Sequence, residues 1–308
     1  MSILKVTDVK KSYGDNQVLH GIDLVVKSKE VYGLLGPNGA GKSTFLNIIV
    51  NLITDYEGQV EMFGQNISKD SMAGIGFVPQ DLAIYEDLSA YQNVKFFGSL
   101  YNLGGSNLSR NAGLALEMVG LWDQRHKNPS TFSGGMKRRL NIACSIVHNP
   151  SLIILDEPTV GIDPQSRNYI LESIKTLNKK GATIIYTSHY MEEVETICSK
   201  VAIIDTGRIV EEGTISETKE KYQNDNCYEC ILESGINVYE VFPARIISKV
   251  STQTGRTIIT FNRRFGRVQD VVAEATNADS IVSIGKFRPN LEDIFLTITG
   301  KALRDGDS

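Results

Sequence analysis

The chain has 308 residues, of which 41% are hydrophobic and 22% charged, a balance typical of a globular protein and unlike that of a disordered chain. Its 36 acidic residues outnumber its 32 basic residues, and the net charge of −4 argues against a protein that binds nucleic acid through a basic surface. From the length and composition we expect about two domains, four reduced cysteines and no signal peptide. We also expect no membrane span, because no apolar run approaches the ~18 residues that a span needs.

Up to Gly213, short apolar runs alternate with helix-like segments, which is the pattern of an α/β core. The predicted strands are Val31–Leu35, Ile75–Val78, Leu152–Leu155, Thr183–Thr187 and Val201–Asp205. Three of these runs are apolar at nearly every position, as in strands covered on both faces. Residues 85–148 interrupt the alternation, and the sequence predicts a helical subdomain there, with one helix opening at Leu88-Ser89 and others at Asn107–Val119 and Met136–Val147.

The last third of the chain has a different pattern. The polar segment Ile215–Asn226 is predicted to be a helix with a linker, and the runs beyond it predict a small α+β sandwich. Its predicted strands are Tyr228–Leu232, Ala244–Val250, Thr257–Phe261 and Ser280–Phe287, and its predicted helices are Val268–Ala275 and Leu291–Thr299. We therefore expect a main domain over residues 1–215, a linker helix over 216–225, and an accessory or dimerisation domain over 226–308.

A glycine-rich segment follows the predicted strand Val31–Leu35. It reads Gly36-Pro37-Asn38-Gly39-Ala40-Gly41-Lys42-Ser43-Thr44 and fits G-x-x-x-x-G-K-[ST], the pattern of a P-loop. Glycines let the backbone approach phosphate closely, and the first N–H groups of the following helix attract its negative charge. We expect this segment to bind the phosphates of a nucleotide, with Lys42 on the β- and γ-phosphates, Ser43 on Mg²⁺ and Thr44 on a phosphate.

Two acidic residues follow a second apolar strand. Asp156 and Glu157 come directly after Leu152–Leu155, at the carboxyl end, where α/β sheets bind ligands. In this interpretation Asp156 holds Mg²⁺ through water, and Glu157 is the general base that polarises the attacking water.

Five further segments stand in a fixed order around these motifs. Ser133-Gly134-Gly135-Met136-Lys137 resembles the LSGGQ signature of ABC ATPases, and Gln80, after Phe77-Val78-Pro79, resembles their Q-loop. Gly161-Ile162-Asp163 resembles the D-loop, and His189, after Tyr186-Thr187-Ser188, resembles the switch histidine. Tyr13, which follows a first strand-like run over Ile3–Val9, resembles the aromatic residue that stacks on adenine. The chain thus resembles an ABC ATPase over residues 1–213, which implies a P-loop NTPase core of the ABC type.

The resemblance also implies roles for individual residues. The helix opened by Ser133, Gly134 and Gly135 addresses the γ-phosphate of an ATP bound to a second subunit, where N–H groups and the helix dipole favour negative charge. Gln80 contacts Mg²⁺ and the attacking water, and the loop after it contacts a membrane partner. His189 hydrogen-bonds the γ-phosphate. The implied catalytic residues are Lys42, Glu157 and His189, and the implied metal ligands are Ser43, Gln80 and Asp156.

The signature departs from the common form at two positions, since Phe132 replaces leucine and Met136 replaces glutamine. A methionine here resembles the daunorubicin-exporter branch, which includes drug-resistance and bacteriocin-immunity exporters. The closing segment from Pro289 to Gly300 resembles the end of those subunits, although an amphipathic helix packed on the small domain would give the same pattern.

The sequence therefore predicts the ATPase subunit of an ABC exporter, with ATP and Mg²⁺ as its ligands. We expect a homodimer beneath separate transmembrane permease subunits, peripheral on the cytoplasmic face of the cell membrane, with no nucleic-acid partner. One alternative is a soluble ABC ATPase that acts on a macromolecular machine. The single P-loop and the lack of sustained heptads between Thr44 and Ser133 argue against the two main kinds of such protein. Another alternative is a sugar-importer ATPase, but those carry a longer C-terminal regulatory region.

Overall fold

The computed structural model of the chain describes residues 1–253, 256–262 and 264–300. Residue contacts divide this part of the chain into two units, Met1–Ile215 and Ser216–Gly300. None of the helices described is long and apolar enough to cross a membrane.

The first unit contains ten strands and six α-helices, and a seventh helix begins at its final residue and otherwise belongs to the second unit. In chain order the strands are β1 (Ser2–Tyr13), β2 (Asn16–Lys27), β3 (Val31–Leu35), β4 (Glu57–Met62), β5 (Gln65–Asn66), β6 (Ile75–Val78), β7 (Leu152–Leu155), β8 (Thr183–Tyr186), β9 (Lys200–Asp205) and β10 (Arg208–Thr214). The helices are α1 (Lys42–Ile49), α2 (Ala90–Leu100), α3 (Gly105–Met118), α4 (Gly134–Ile146), α5 (Pro164–Lys179), α6 (Met191–Ile197) and α7 (Ile215–Tyr222). All five strands predicted for the α/β core are present.

Six strands form the central sheet in the order β10-β9-β3-β8-β7-β6, and every pair except β10–β9 is parallel. Every residue of β3, β7 and β8 is buried, as their continuous apolar sequence requires of strands covered on both faces. Because β3, β6, β7 and β8 run in the same direction, the loops that follow them leave from the same edge of the sheet. That edge carries the functional residues described below.

A second sheet of the first unit is antiparallel, in the order β2-β1-β4-β5. The only part of this sheet that the sequence predicted is a strand-like run over Ile3–Val9. The regular alternation of β1 breaks where its pairing with β2 shifts between Val6 and Val9, and Asp8 there has a positive φ of 47°. Such a bulge places extra residues between buried positions, so periodicity alone does not reveal the full strand.

Three helices, α2 to α4, stand between β6 and β7, within the segment predicted to be helical. Ser89 begins α2 with a reciprocal capping box, in which its side chain accepts from Gln92 N and the Gln92 side chain accepts from Ser89 N. The buried side chain of Asn93 ties the preceding loop to this helix, since it bonds both the N–H and the carbonyl of Tyr85.

The second unit has a four-stranded antiparallel sheet. Its strands are β11 (Cys227–Leu232), β12 (Ile247–Gln253), β13 (Arg256–Phe261) and β14 (Ile281–Lys286), in the spatial order β12-β13-β11-β14. Its helices are α8 (Val238–Val241), α9 (Val268–Val272) and α10 (Leu291–Thr299). A buried core with Tyr228, Phe242 and Phe261 at its centre packs around edge-on aromatic contacts.

Three element boundaries predicted for this unit were wrong. The residues Ala244–Ile246 form a 3₁₀ turn after Pro243 rather than the start of a strand. Ser280 likewise ends a 3₁₀ turn, and α9 ends at Val272 rather than Ala275. Sequence pattern at the end of an apolar run does not distinguish a tight turn from an extended strand or from the last turn of a helix.

Candidate active site

The P-loop joins β3 to α1, which begins at Lys42. Gly39 and Gly41 have φ values of 77° and 104°, a region that favours glycine. Gly36 is required for another reason, because a Cβ there would lie 2.3 Å from the carbonyl oxygen of Ile204. The loop therefore has the shape that its glycines allow.

The buried Lys42 side chain lies along the inside of this loop. Its Nζ donates to the carbonyl oxygens of Gly36 at 2.6 Å and Pro37 at 3.1 Å. Burial lowers the pKa of Lys42, and the negative charges of Glu157 and Asp156 oppose that shift. The ammonium group thus stands in the field of both acidic residues predicted from the sequence.

Asp156 and Glu157 follow β7 and share one hydroxyl group. Thr187 Oγ1 donates to Asp156 Oδ1 at 2.8 Å and accepts from Glu157 N at 2.9 Å. Burial is the main cause that raises the pKa of Asp156, and the Thr187 hydrogen bond opposes it. Glu157 has a positive φ of 48°, which is strained for a residue with a side chain and concentrates at functional sites.

His189 follows β8 and lies against the predicted base. Its Nε2 is 2.7 Å from Glu157 Oε1, and both side chains are mostly buried. The two groups predicted to act on the attacking water and on the γ-phosphate are therefore neighbours, although they are far apart in the chain.

A cavity of about 490 Å³ collects most of the predicted residues. Its lining consists of Val18, Asn38, Gly39, Gly41, Lys42, Ser43, Thr44, Gln80, Glu157, Val160 and His189. Four segments that the sequence singled out separately thus meet at the carboxyl edge of the central sheet, as in α/β proteins that bind ligands there.

Tyr13, Asp156 and the signature residues do not line this cavity. Tyr13 ends β1 with half of its surface exposed, and the ammonium group of Lys11 lies 5.0 Å from its ring centroid. Ser133 is the N-cap of α4, where its side chain accepts from Met136 N. The predicted roles of Tyr13 with adenine and of the signature with a second subunit stay predictions.

Comparison with known proteins identifies the family. Residues 19–160 match the family model described as ABC transporter. The chain is 41% identical over 98% of its length to the complete linearmycin resistance ATP-binding protein LnrL of Bacillus subtilis. The chain belongs to the ABC transporter ATP-binding proteins. As an ABC ATPase it couples ATP hydrolysis to transport.

Two other similar relatives extend the comparison. The daunorubicin resistance ATP-binding protein DrrA3 of Streptomyces coeruleorubidus is 32% identical, with 96% of each chain covered. The Nod factor export ATP-binding protein I of Cupriavidus pinatubonensis is 32% identical over 99% of this chain and 93% of its own. The resemblance to the drug-resistance branch predicted from Met136 and the closing segment is thus confirmed.

The fold of this ABC ATPase is similar to that of solved cassettes. A dimeric structure of the ATP-binding cassette MJ0796, described as a post-hydrolysis state bound to ADP and Pi, aligns with a TM-score of 0.62 and 28% identity. It covers 68% of this chain and 98% of the other. The mixed α/β fold of an ABC-type P-loop ATPase predicted from the sequence is confirmed.

The Q-loop of this ABC ATPase is fixed to the signature helix α4 by contacts that the sequence did not predict. Arg138 donates to the carbonyl oxygens of Pro79 and Gln80 at 2.8 and 2.5 Å. One turn along the helix, Asn141 Oδ1 accepts from Ala83 N at 3.3 Å. These three bonds hold the backbone around Gln80 against α4.

The signature motif also contacts the D-loop helix of its own chain. A Cβ on Gly135 would lie 2.2 Å from Ser166 Oγ, whereas a Cβ on Gly134 would meet nothing within 4 Å. Asp163 caps this helix by accepting from Ser166 N at 2.9 Å. Gly135 is thus needed for packing within the subunit, and Gly134 is the open position of the motif.

Sequence analysis missed three residues of the site, namely Val18, Val160 and Thr187. Val18 lies on β2, a strand that was not predicted, and Val160 follows the acidic pair without a pattern of its own. Thr187 could have been found, because it ends the predicted strand Thr183–Thr187. The observed strand at this place, β8, pairs with β7. A hydroxyl at that carboxyl edge lies within reach of residues that follow the neighbouring strand.

Proposed function

We propose that this chain is the ATP-hydrolysing subunit of an exporter. The observation that carries the proposal is the single cavity in which the P-loop, Gln80, Glu157 and His189 meet. The direction of transport is inferred from the relatives, which are named for drug resistance and for Nod factor export and align over nearly the whole chain. Removal of a toxic compound from the cell is a direct route to resistance.

ATP would bind along the P-loop from Gly36 to Thr44, with its phosphates against Lys42 and its adenine against Tyr13. The half-exposed ring of Tyr13 supports the second contact, because a stacking platform must be open to its ligand. Val18 lies on the cavity wall, where an apolar side chain suits the nucleoside.

The donor atoms at the site fit Mg²⁺. Hydroxyl, amide and carboxylate oxygens are the hard ligands that this ion prefers, and Ser43, Gln80 and Asp156 supply one of each. No three His, Cys, Asp or Glu side chains in the described ranges are grouped to hold a metal, so this set relies on substrate phosphates for the remaining positions. When bound, Mg²⁺ would neutralise phosphate charge during transfer.

Hydrolysis would proceed by attack of water on the γ-phosphorus, and the bond from that atom to the β–γ bridging oxygen would break, so that ADP leaves and inorganic phosphate forms. Glu157 accepts the proton of that water, and its carboxylate is held in place by its own backbone bond to Thr187 and by His189. Lys42 stabilises the charge that develops on the phosphate oxygens, and His189 hydrogen-bonds the γ-phosphate. Each of these groups contributes by its fixed position.

The complete site would require two copies of the chain. Ser133, Gly134 and Gly135 lie outside the cavity of their own subunit, and the N–H groups that begin α4 can address a phosphate held by a partner. The dimeric state of the similar cassette MJ0796 supports this arrangement. A homodimer suffices, because one chain carries the P-loop, signature, base and histidine together. In this proposal residues 1–215 form the nucleotide-binding domain and residues 226–308 assist dimerisation.

Separate transmembrane permease subunits would bind next to the Q-loop, which places the chain on the cytoplasmic face of the membrane. Leu82, Tyr85 and Phe96 are exposed, and the rings of Tyr85 and Phe96 meet edge to face at 5.0 Å. We call these three residues the exposed apolar patch. Such exposed apolar groups are typical of an interface with another protein.

The test is purification of the full chain from solubilised membranes. We expect an integral membrane protein to co-purify, and we expect Tyr85→Glu in the exposed apolar patch to weaken that association. The matched control is Leu114→Glu, an exposed leucine on α3, which should leave it intact. Co-purification with ribosomes or another soluble assembly, in place of a membrane protein, would favour the alternative of an ATPase acting on a macromolecular machine.

A further inference from the structure

Glu193 on α6 is a buried carboxylate with only 4% of its surface exposed. A carboxylate in such a place is costly unless hydrogen bonds compensate for lost water. Three hydroxyl groups do so at a single oxygen, Oε2. The donors are Thr159 Oγ1 at 2.8 Å, Tyr186 OH at 2.7 Å and Ser188 Oγ at 2.8 Å.

The positions of these donors in the chain connect Glu193 with the chemistry. Thr159 comes two residues after Glu157, and Ser188 comes directly before His189. The two segments therefore converge on one carboxylate, while their functional side chains meet at 2.7 Å. Ser188 Oγ also accepts from Tyr190 N, which fixes the backbone on the far side of His189.

A fourth contact ties the D-loop helix into the same cluster. Arg167 on α5 places its Nε 3.4 Å from Glu193 Oε1, and its guanidinium group lies over the ring of Tyr190 at 4.0 Å. The helix that bears this arginine begins directly after Asp163 of the D-loop. We call Glu193, Thr159, Tyr186, Ser188 and Arg167 the Glu193 cluster.

We propose that Glu193 is a positioning residue that holds the segment of His189 against the loop of Glu157. The proposal rests on the proposed function, in which those two residues act on ATP. Glu193 does not line the nucleotide cavity, so its effect on the reaction passes through the two segments that it holds, those of His189 and Glu157. A misplacement of about 1 Å at such a residue can cost roughly 10²-fold in rate, whereas the P-loop contacts that bind ATP do not involve the cluster.

The test is a double-mutant cycle with the full chain. Glu193→Gln keeps the shape but loses the charge, and we expect kcat to fall at least roughly tenfold while ATP affinity changes less than about twofold. Because Glu193 holds the segment of His189, Glu193→Gln should slow a His189→Ala chain much less than it slows the parent chain. If the kcat losses of the two single variants multiplied in the double variant, the proposal would be overturned, because Glu193 would then have a role independent of His189.

Two further variants complete the design. Glu192→Gln, on the exposed side of the same helix, is the matched control and should leave kcat unchanged. If Glu193→Gln does not fold, Ser188→Ala removes one donor of the cluster and enters the same cycle with the same expected result. Failure of the proposed function would look different, because His189→Ala alone would then hydrolyse ATP at the full rate.

Discussion

Thr187 holds together the two acidic residues on which hydrolysis depends. Its hydroxyl bonds the Asp156 carboxylate and the Glu157 N–H, in a strained stretch of backbone. Thr187→Val leaves a buried N–H unpaired, so we expect the free energy of unfolding to fall by about 1–3 kcal/mol. We expect kcat to fall by roughly 10- to 100-fold, because both acids shift. Denaturant unfolding and steady-state kinetics measure these effects, and Thr187→Ser, which retains the hydroxyl, should come close to the parent chain in both.

His148 makes the stability of the chain sensitive to acid. Its ring stacks on Tyr101 at 3.5 Å, its Nε2 lies 2.9 Å from the Ile75 carbonyl oxygen, and burial lowers its pKa to about 4. In the unfolded chain His148 binds a proton near the ordinary histidine pKa of about 6.5. As the pH falls from there to about 4, protonation therefore stabilises the unfolded state relative to the folded one. We therefore expect the midpoint of urea unfolding to decline over that window. His148→Gln should flatten the decline, and an unchanged slope would show that other groups cause it.

At the scale of elements, the signature helix α4 offers a clean test of a composite site. Gly134 has open space where a Cβ would lie, so Gly134→Asp should leave the subunit folded and its own P-loop able to bind ATP. The added carboxylate would repel a γ-phosphate approaching the helix from a partner subunit. We expect ATP-driven dimerisation, followed by analytical ultracentrifugation, to be lost.

Gly134→Ala is the control for that experiment, since it adds bulk without charge and should dimerise at least partly. Gly135 is the poorer choice, because a side chain there collides with Ser166 in the same subunit. Loss of ATP binding by monomeric Gly134→Asp would mean that the signature serves its own nucleotide, and the dimer model would then be wrong.

Five of the six strands of the central sheet could be predicted because each carries a local apolar signal, whereas the mostly exposed edge strand β10 carries none and was not predicted. Leu152–Leu155 is wholly apolar, and the acids after it stand at the edge where such sheets bind ligands. Arg138 and Glu193 carry no such signal, since the contacts of Arg138 with Gln80 and of Glu193 with Thr159 join distant places in the chain and form only in the folded core. The register shift near Asp8 hid the end of β1, residues 10–13, for a different reason, because it breaks the alternation by which a strand is found.

At the scale of the whole molecule, the second unit contains none of the nucleotide-binding motifs. Its own core, built around Tyr228 and Phe261, supports independent packing. A chain ending at Asn224 should therefore bind ATP with similar affinity, while self-association without ATP should weaken if this unit assists dimerisation. Nucleotide titration and analytical ultracentrifugation of both chains provide the comparison. Lost ATP affinity with unchanged self-association would show that residues after 224 belong to the catalytic fold.

The most direct measurement is ATP turnover by the full chain carrying Glu157→Gln, with ATP binding followed in parallel. Glu157 lines the nucleotide cavity, contacts His189 and follows the buried strand β7, so the amide should preserve the site and remove the base. We expect ATP to bind with nearly unchanged affinity, turnover to fall at least ~10²-fold, and an ATP-stabilised dimer to accumulate. Turnover close to that of the parent chain would contradict the assignment of Glu157 as the base, and with it the mechanism proposed for this ABC ATPase.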